Sequence, residues 1–277
     1  MHALPTLVAL AAALLLTPPI LRHLRAEGFT RENWRGRALP FPGGIAIVAA
    51  ALAALGVCAA VEQLTDTSVF EIGTARVVIY ALGTALLGLA DDLLAGVSRG
   101  WRGHGRAVVR GGFSTGALKA AGSLALALFA LGARGGGTGR YLLAVAVLVL
   151  ATNLFNLLDL RPGRVLKAFA LLGAGLAIGA WDARPLWTLG AFAAPALVVG
   201  FHDLRERTML GDTGANLIGG LAGIWLILAL DTTGQLIALA IVLAITVYGE
   251  FRSLSALIER TPLLRQIDSI GRNDAHA

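Results

Sequence analysis

Five short stretches and one lysine carry side chains that an apolar chain does not need for folding. Asp91 and Asp92 are adjacent at the end of an apolar run. Two carboxylates at a helix C-terminus oppose the helix dipole and repel each other. The pair therefore suits a cation or basic partner, the plain alternative being a solvated loop start. Asn153, Asn156 and Asp159 follow one another at three-residue steps. On a continuing helix each such step falls about 60° short of a full turn, which leaves all three on one face. Amides and a carboxylate at a membrane exit suit hydrogen bonding to a base or sugar, or cation coordination. The two Asn would equally serve to bond neighbouring helices.

Gly211-Asp212-Thr213-Gly214 opens another apolar run. Asp212 or Thr213 would be an ordinary helix cap there. In the other reading, the glycines expose backbone N–H groups to a phosphate while Asp212 holds Mg²⁺. Lys119, one of only two lysines, lies about a turn inside a further run. It either snorkels to the surface or meets the aspartates. Pro40, Pro42 and the paired glycines Gly43-Gly44 enter one more run, where backbone would approach a ligand or a neighbouring helix. A basic segment from Thr261 to Asp268, open to an amphipathic helix, completes the set.

The elements that must position these residues are transmembrane helices. The 277 residues are 56% hydrophobic and only 14% charged, with mean hydropathy +0.74. A soluble domain carries nearer a quarter charged residues. Apolar runs recur at about 3–21, 43–61, 74–90, 114–132, 141–157, 165–181, 186–201, 213–230 and 234–251, each near the length that crosses a bilayer core. The expected fold class is an all-α polytopic bundle of about nine spans in one membrane domain, since a spanning segment must satisfy its own backbone. The sixth and seventh spans are the least separated. A single cysteine, Cys58, excludes an intrachain disulfide and a Cys-x-x-Cys metal site. The net charge of +6 points to an anionic lipid surface or substrate rather than to nucleic acid.

Charge also orients the spans. Of the 23 Lys and Arg, 18 fall in the loops after the first, third, fifth and seventh spans or in the C-terminal tail. They include Arg99, Arg102, Arg106 and Arg110, whereas the opposite loops hold only Arg76, Arg134, Arg140 and Arg184. The positive-inside rule then places the N-terminus outside and the C-terminus in the cytoplasm. All the polar stretches share that cytoplasmic face. Acids and amides ringed by arginines suit the pairing of two anions beside Mg²⁺ in phosphoryl transfer, with one anion borne by a lipid.

These stretches, in this order, resemble the polyprenyl-phosphate N-acetylhexosamine-1-phosphate transferases, the family that includes phospho-N-acetylmuramoyl-pentapeptide transferase. Gly28 to Asn33 and Pro42 to Ile45 look like its first cytoplasmic loop, and Gly88 to Asp92 its paired-aspartate motif. Lys119 falls where the family has a lysine, and the Asn153, Asn156, Asp159 segment and the Gly211 to Gly214 loop match two further motifs. The resemblance implies an enzyme of the cell membrane that transfers a sugar-1-phosphate from a UDP-sugar to a polyprenyl phosphate carrier, for envelope glycan synthesis. Its cofactor would be Mg²⁺, with a homodimer as a compatible assembly. Carried over, Asp212 and Asp159 belong to the metal site, and Asp91 or Asp92 positions or deprotonates the lipid phosphate. Lys119 contacts phosphate, while Asn153, Asn156, Gly211, Thr213 and Gly214 line the substrate. Three features depart from the pattern. Pro162 stands where a second aspartate is usual, Thr261 to Arg272 lacks the family's histidines (His276 lies beyond), and nine spans replace ten. These departures define a second expectation, a non-catalytic relative that binds lipid phosphate or envelope-assembly partners.

Overall fold

The computed structural model describes residues 3–70, 73–94, 114–132 and 135–272, so Arg99, Arg102, Arg106, Arg110, Arg134 and His276 of the sequence reading lie outside the described residues. The chain folds as an all-α bundle. Its longer helices are α1 (Leu4–Ala26), α2 (Gly44–Thr65), α3 (Thr74–Leu94), α4 (Thr115–Leu131), α5 (Thr138–Leu158) and α6 (Arg164–Ala180). A short α7 (Arg184–Thr188) leads into α8 (Gly190–Leu204), followed by α9 (Gly211–Ala229) and α10 (Thr232–Phe251). Two short helices, α11 (Leu254–Arg260) and α12 (Pro262–Ser269), form the tail. Six of these, α1, α2, α3, α5, α9 and α10, are long and apolar enough to cross a membrane, and α4 and α8 are shorter apolar helices. The seventh predicted span is thus divided, with Leu189 joining α7 to α8.

Helix α9 is the axis of the bundle. Every residue from Gly211 to Ile227 is buried except Asp212, and the helix packs chiefly against α5 and α3, then α6 and α2. Burial of this completeness depends on small residues. A Cβ on Gly219 would lie 2.8 Å from the Thr152 Cα of α5, and one on Gly223 would lie 3.1 Å from the Leu148 Cα. In lipid, where burial of apolar area drives helices together only weakly, such close backbone approach supplies the dispersion contact. Two hydroxyls in this core pair with each other: Tyr80 meets Thr152 Oγ1 at 2.9 Å. By contrast α10 turns Leu236, Ile237 and Ile241 outward, the pattern of a lipid-facing helix.

One end of the bundle carries extra structure. Between α1 and α2, β1 (Thr30–Glu32) and β2 (Ala38–Pro40) form an antiparallel hairpin with Arg31 opposite Leu39. Its turn is closed by Asn33, whose Oδ1 accepts from the backbone of Arg35 and Arg37 at 2.9 and 3.0 Å. At the same end, the tail is fastened to the α5–α6 turn. Arg164, itself buried, donates to both oxygens of Asp268 at 3.0 Å and to Ser255 at 3.0 Å. Arg272 adds bonds to Asp268 at 2.7 Å and to the Pro162 carbonyl at 3.2 Å. Lys167 donates to the Asp268 backbone carbonyl.

Burial alone would raise the Asp268 carboxyl, but its bonds and charge pairing with Arg164 and Arg272 outweigh that and hold it below the ordinary range. A depressed folded value stabilises the fold above the unfolded value of about 4, and the contribution vanishes as pH falls through the folded value. Asp268→Ala is therefore expected to cost about 3 kcal/mol at neutral pH, because it leaves Arg164 buried without its partner. In thermal unfolding of detergent-solubilised protein, the gap between wild type and variant should close as pH drops below about 4. A gap that stays constant down to acidic pH would contradict this assignment.

Candidate functional site

The site is built where α3 ends and α9 begins. Neighbouring residues on a helix point about 100° apart, so Asp91 and Asp92 cannot face the same partner. Asp92 turns inward and is buried. Its Oδ1 accepts the Asp212 N–H at 2.9 Å, and its Oδ2 accepts the Thr213 N–H at 2.9 Å and the Thr213 hydroxyl at 2.7 Å. The first N–H groups of a helix have no partner within it, and no side chain from the start of α9 caps that helix. Asp92 supplies the cap from a different helix. This corrects two sequence readings. Neither Asp212 nor Thr213 is the cap, and the Asp212 and Thr213 N–H groups beside the glycines are already taken by a carboxylate, not presented to phosphate.

The glycines have another purpose. Gly211 sits at φ +70°, and a Cβ there would lie 2.7 Å from Asp92 Oδ2. A Cβ on Gly88, one turn before Asp92, would overlap the Asp212 carbonyl, and a Cβ on Gly44 would overlap the backbone of Gly214. The entry to α2 is also laced to this loop. Gly43 and Gly44 donate to the carbonyls of Met209 and Leu210 at 2.7 and 2.9 Å, and the Met209 N–H returns to Pro40 at 3.1 Å. The start of α9 is therefore clasped between α2 and α3. Arg31 closes the end of α3, donating to the Asp92 carbonyl at 3.2 Å while lying 3.8 Å over the Phe41 ring.

With its backbone held by Asp92, Asp212 points its carboxylate the other way, into a polar cluster. Lys119 from α4 reaches both Asp91, at 3.1 Å, and Asp212. Oriented by its partners, the Asn156 amide donates to Asp212 at 3.1 and 3.3 Å and accepts from Lys119 at 3.0 Å. The cluster is accessible, with the Lys119 side chain 17% and the Asp212 side chain 27% exposed. Asp159, just past the end of α5, accepts the Gly211 N–H. Burial pushes the Asp159 carboxyl well up, and the carboxylates of Asp203, Asp212 and Asp92 push it further.

Nine of the ten sequence-selected residues thus belong to one assembly. Asn153 is the exception: it lies one turn earlier on α5, and its side chain is not bonded to the cluster. Two acids escaped the sequence reading. Asp203 is buried and accepts the Gly163 N–H at 2.7 Å, holding the turn between α5 and α6. Glu206, also buried, pairs with Arg35, Arg37 and Asn33 of the hairpin. Locally both look like ordinary loop acids beside arginines, and nothing in their spacing marks them.

Among the described residues, no group of three or more His, Cys, Asp or Glu side chains converges tightly enough to hold a metal by itself. The chemistry of the donors is nonetheless that of a hard cation. Asp91 and Asp212 bring two carboxylates to a single ammonium, an excess of negative charge that a divalent ion would offset. In comparison with known proteins, no family model matches the chain and no curated protein matches it significantly.

The clasp is testable without knowing the ligand. Gly88→Ala must separate α3 from α9 because its Cβ meets backbone, so it is expected to destabilise by about 1–3 kcal/mol. Gly83→Ala meets only the Leu126 side chain, at 2.6 Å, which can rotate away. Thermal unfolding of the two variants in detergent should rank Gly88→Ala clearly lower. Equal midpoints would remove the argument for a backbone clasp.

Proposed function

We propose that the chain is a Mg²⁺-dependent membrane transferase that moves a sugar-1-phosphate from a UDP-sugar to a polyprenyl phosphate. The observation that carries this reading is the meeting of Lys119, Asp91, Asp212 and Asn156 from four helices. These are residues of the motifs that resemble the polyprenyl-phosphate N-acetylhexosamine-1-phosphate transferases, brought together across up to 121 positions of sequence by the Asp92 cap. In this reading the chain crosses the cell membrane about nine times, α4, α6 and α8 joining the six longer spans. The arginine-rich end that bears the site faces the cytoplasm, as the charge bias favours.

The reaction needs two phosphates brought together against their repulsion. A phosphate oxygen of the lipid attacks the β-phosphorus of the UDP-sugar, forming the new P–O–P link. The bond from that phosphorus to the bridging oxygen breaks, and UMP leaves with the electron pair. Lys119 exchanges a carboxylate for a phosphate oxygen and offsets charge that develops during transfer. Asp91, on the accessible side of the pair, receives the proton if the lipid phosphate arrives as a monoanion. Asn156 orients Asp212 and the ammonium. Asp212 and Asp159 would hold Mg²⁺, which when bound supplies Lewis-acid neutralisation of the phosphates. Asp92 acts at one remove, as the group that positions Asp212.

One observation favours the second reading, a non-catalytic binder of lipid phosphate. Pro162 replaces an expected acid, and its carbonyl is bonded by Arg272 under the histidine-free tail, so that part of the surface serves to fasten the tail. Purified protein assayed with a panel of UDP-sugars, polyprenyl phosphate and Mg²⁺ separates the two. Transfer predicts UMP release that needs Mg²⁺ and falls about a hundredfold or more in Asp212→Asn and Lys119→Met. No UMP release from any UDP-sugar would sink catalysis and leave the binding reading.

A further inference from the structure

A second basic feature lies apart from the aspartate–lysine cluster. The ends of α1 and α8 and the β-hairpin enclose an open groove of about 440 Å³, within the range of sites that hold small ligands. Arg22, Arg25, Arg37, Arg205 and Arg207 line it, with Glu206 as the one acid. Five arginines against one glutamate leave four positive charges. Two helix C-termini end here, and together their dipoles amount to about one negative charge, so most of the positive charge is not explained by capping. Glu206 is committed to the hairpin through Arg35, Arg37 and Asn33. His202 also lines the groove, with its Nδ1 at the Val198 carbonyl at 3.0 Å. Arg22, Arg25 and Arg207 are exposed.

The groove is not wholly polar. Pro18, Leu21 and Pro40 form its apolar wall. Leu14, Pro18 and Leu21 follow helical spacing along one face of α1, so the wall continues into an outward-facing apolar strip, with Leu14 exposed. On α8 the exposed Leu197 and Phe201 lead to the same end, Phe201 lying beneath Arg205 at 5.3 Å. Charge at the mouth and apolar surface running along two helices is the outline of a phosphate attached to acyl chains, more than of a free anion. Guanidinium groups recognise phosphate bidentately.

We propose that this groove seats the phosphate headgroup of an anionic membrane lipid, as a site separate from the Asp91, Lys119 and Asp212 cluster. None of the cluster's residues lines it, and the proposal stands whether or not the chain is a transferase.

The test is binding of phosphatidylglycerol to the purified full-length protein in detergent micelles, read by native mass spectrometry. Wild type should retain phosphatidylglycerol in preference to phosphatidylcholine. The triple variant R22Q/R25Q/R207Q should bind it more weakly by about fivefold per arginine, on the order of a hundredfold overall. The control R252Q/R260Q/R265Q removes the same charge from exposed positions of the tail region and should bind like wild type. If the triple variant fails to insert, the single variants R22Q and R207Q are read instead, each with about a fivefold loss. Equal losses in groove and control variants would reduce the effect to general surface charge and overturn the proposal. So would equal retention of phosphatidylcholine, or displacement of the lipid by millimolar glycerol phosphate, which would make the occupant a soluble phosphate.

Discussion

A helix buried along nearly its whole length has to begin somewhere, and its first N–H groups cannot be left bare in an apolar bundle. Here that demand falls on the Asp92 carboxylate, which takes the N–H groups of Asp212 and Thr213 and the Thr213 hydroxyl. Hydrogen bonds to a charged acceptor are worth roughly 1.5–3 kcal/mol each, so this one side chain fixes both the start and the rotation of α9. Rotation is the consequential part. With the Asp212 backbone turned to Asp92, its carboxylate is turned to Lys119, and the cluster follows from the cap.

Close approach makes the cap possible. Gly44, Gly88 and Gly211 each stand where a Cβ would strike backbone or the Asp92 carboxylate. The hairpin supports the same junction from outside, through Arg31 on the Asp92 carbonyl and Glu206 under Arg35 and Arg37. Asp203 holds the α5–α6 turn through Gly163, which sets where α5 delivers Asn156 and Asp159. The polar end is thus a set of interlocked supports around one accessible ion cluster, and the clustered side chains need little backbone freedom of their own. Proximity of this kind is what the proposed transfer between two repelling anions would require.

The helices were legible because hydropathy is local: they begin and end within a few residues of the apolar runs. The division at Leu189 was not, since Pro185 and Gly190 interrupt a run whose composition stays apolar throughout. The paired aspartates announced a need for positive charge, which Lys119 meets at Asp91 alone. Their division of labour was hidden, because it depends on a 100° turn and on a partner 120 residues away. Periodicity put Asn153 on the face of Asn156, yet α5 delivers only its last turn to the cluster. Asp203, Glu206 and the Arg164–Asp268 pair, 104 residues apart, carry no local signature at all. What they do is defined by packing between distant elements.

Everything at the polar end rests on Asp92 determining how α9 begins. Hydrogen–deuterium exchange of the segment from Leu210 to Asn216, compared between wild type and Asp92→Ala, tests it most directly. The variant should lose protection at Asp212 and Thr213 and around them, while the buried middle of α9 near Leu221 stays protected. Unchanged protection at the start of the helix would contradict it.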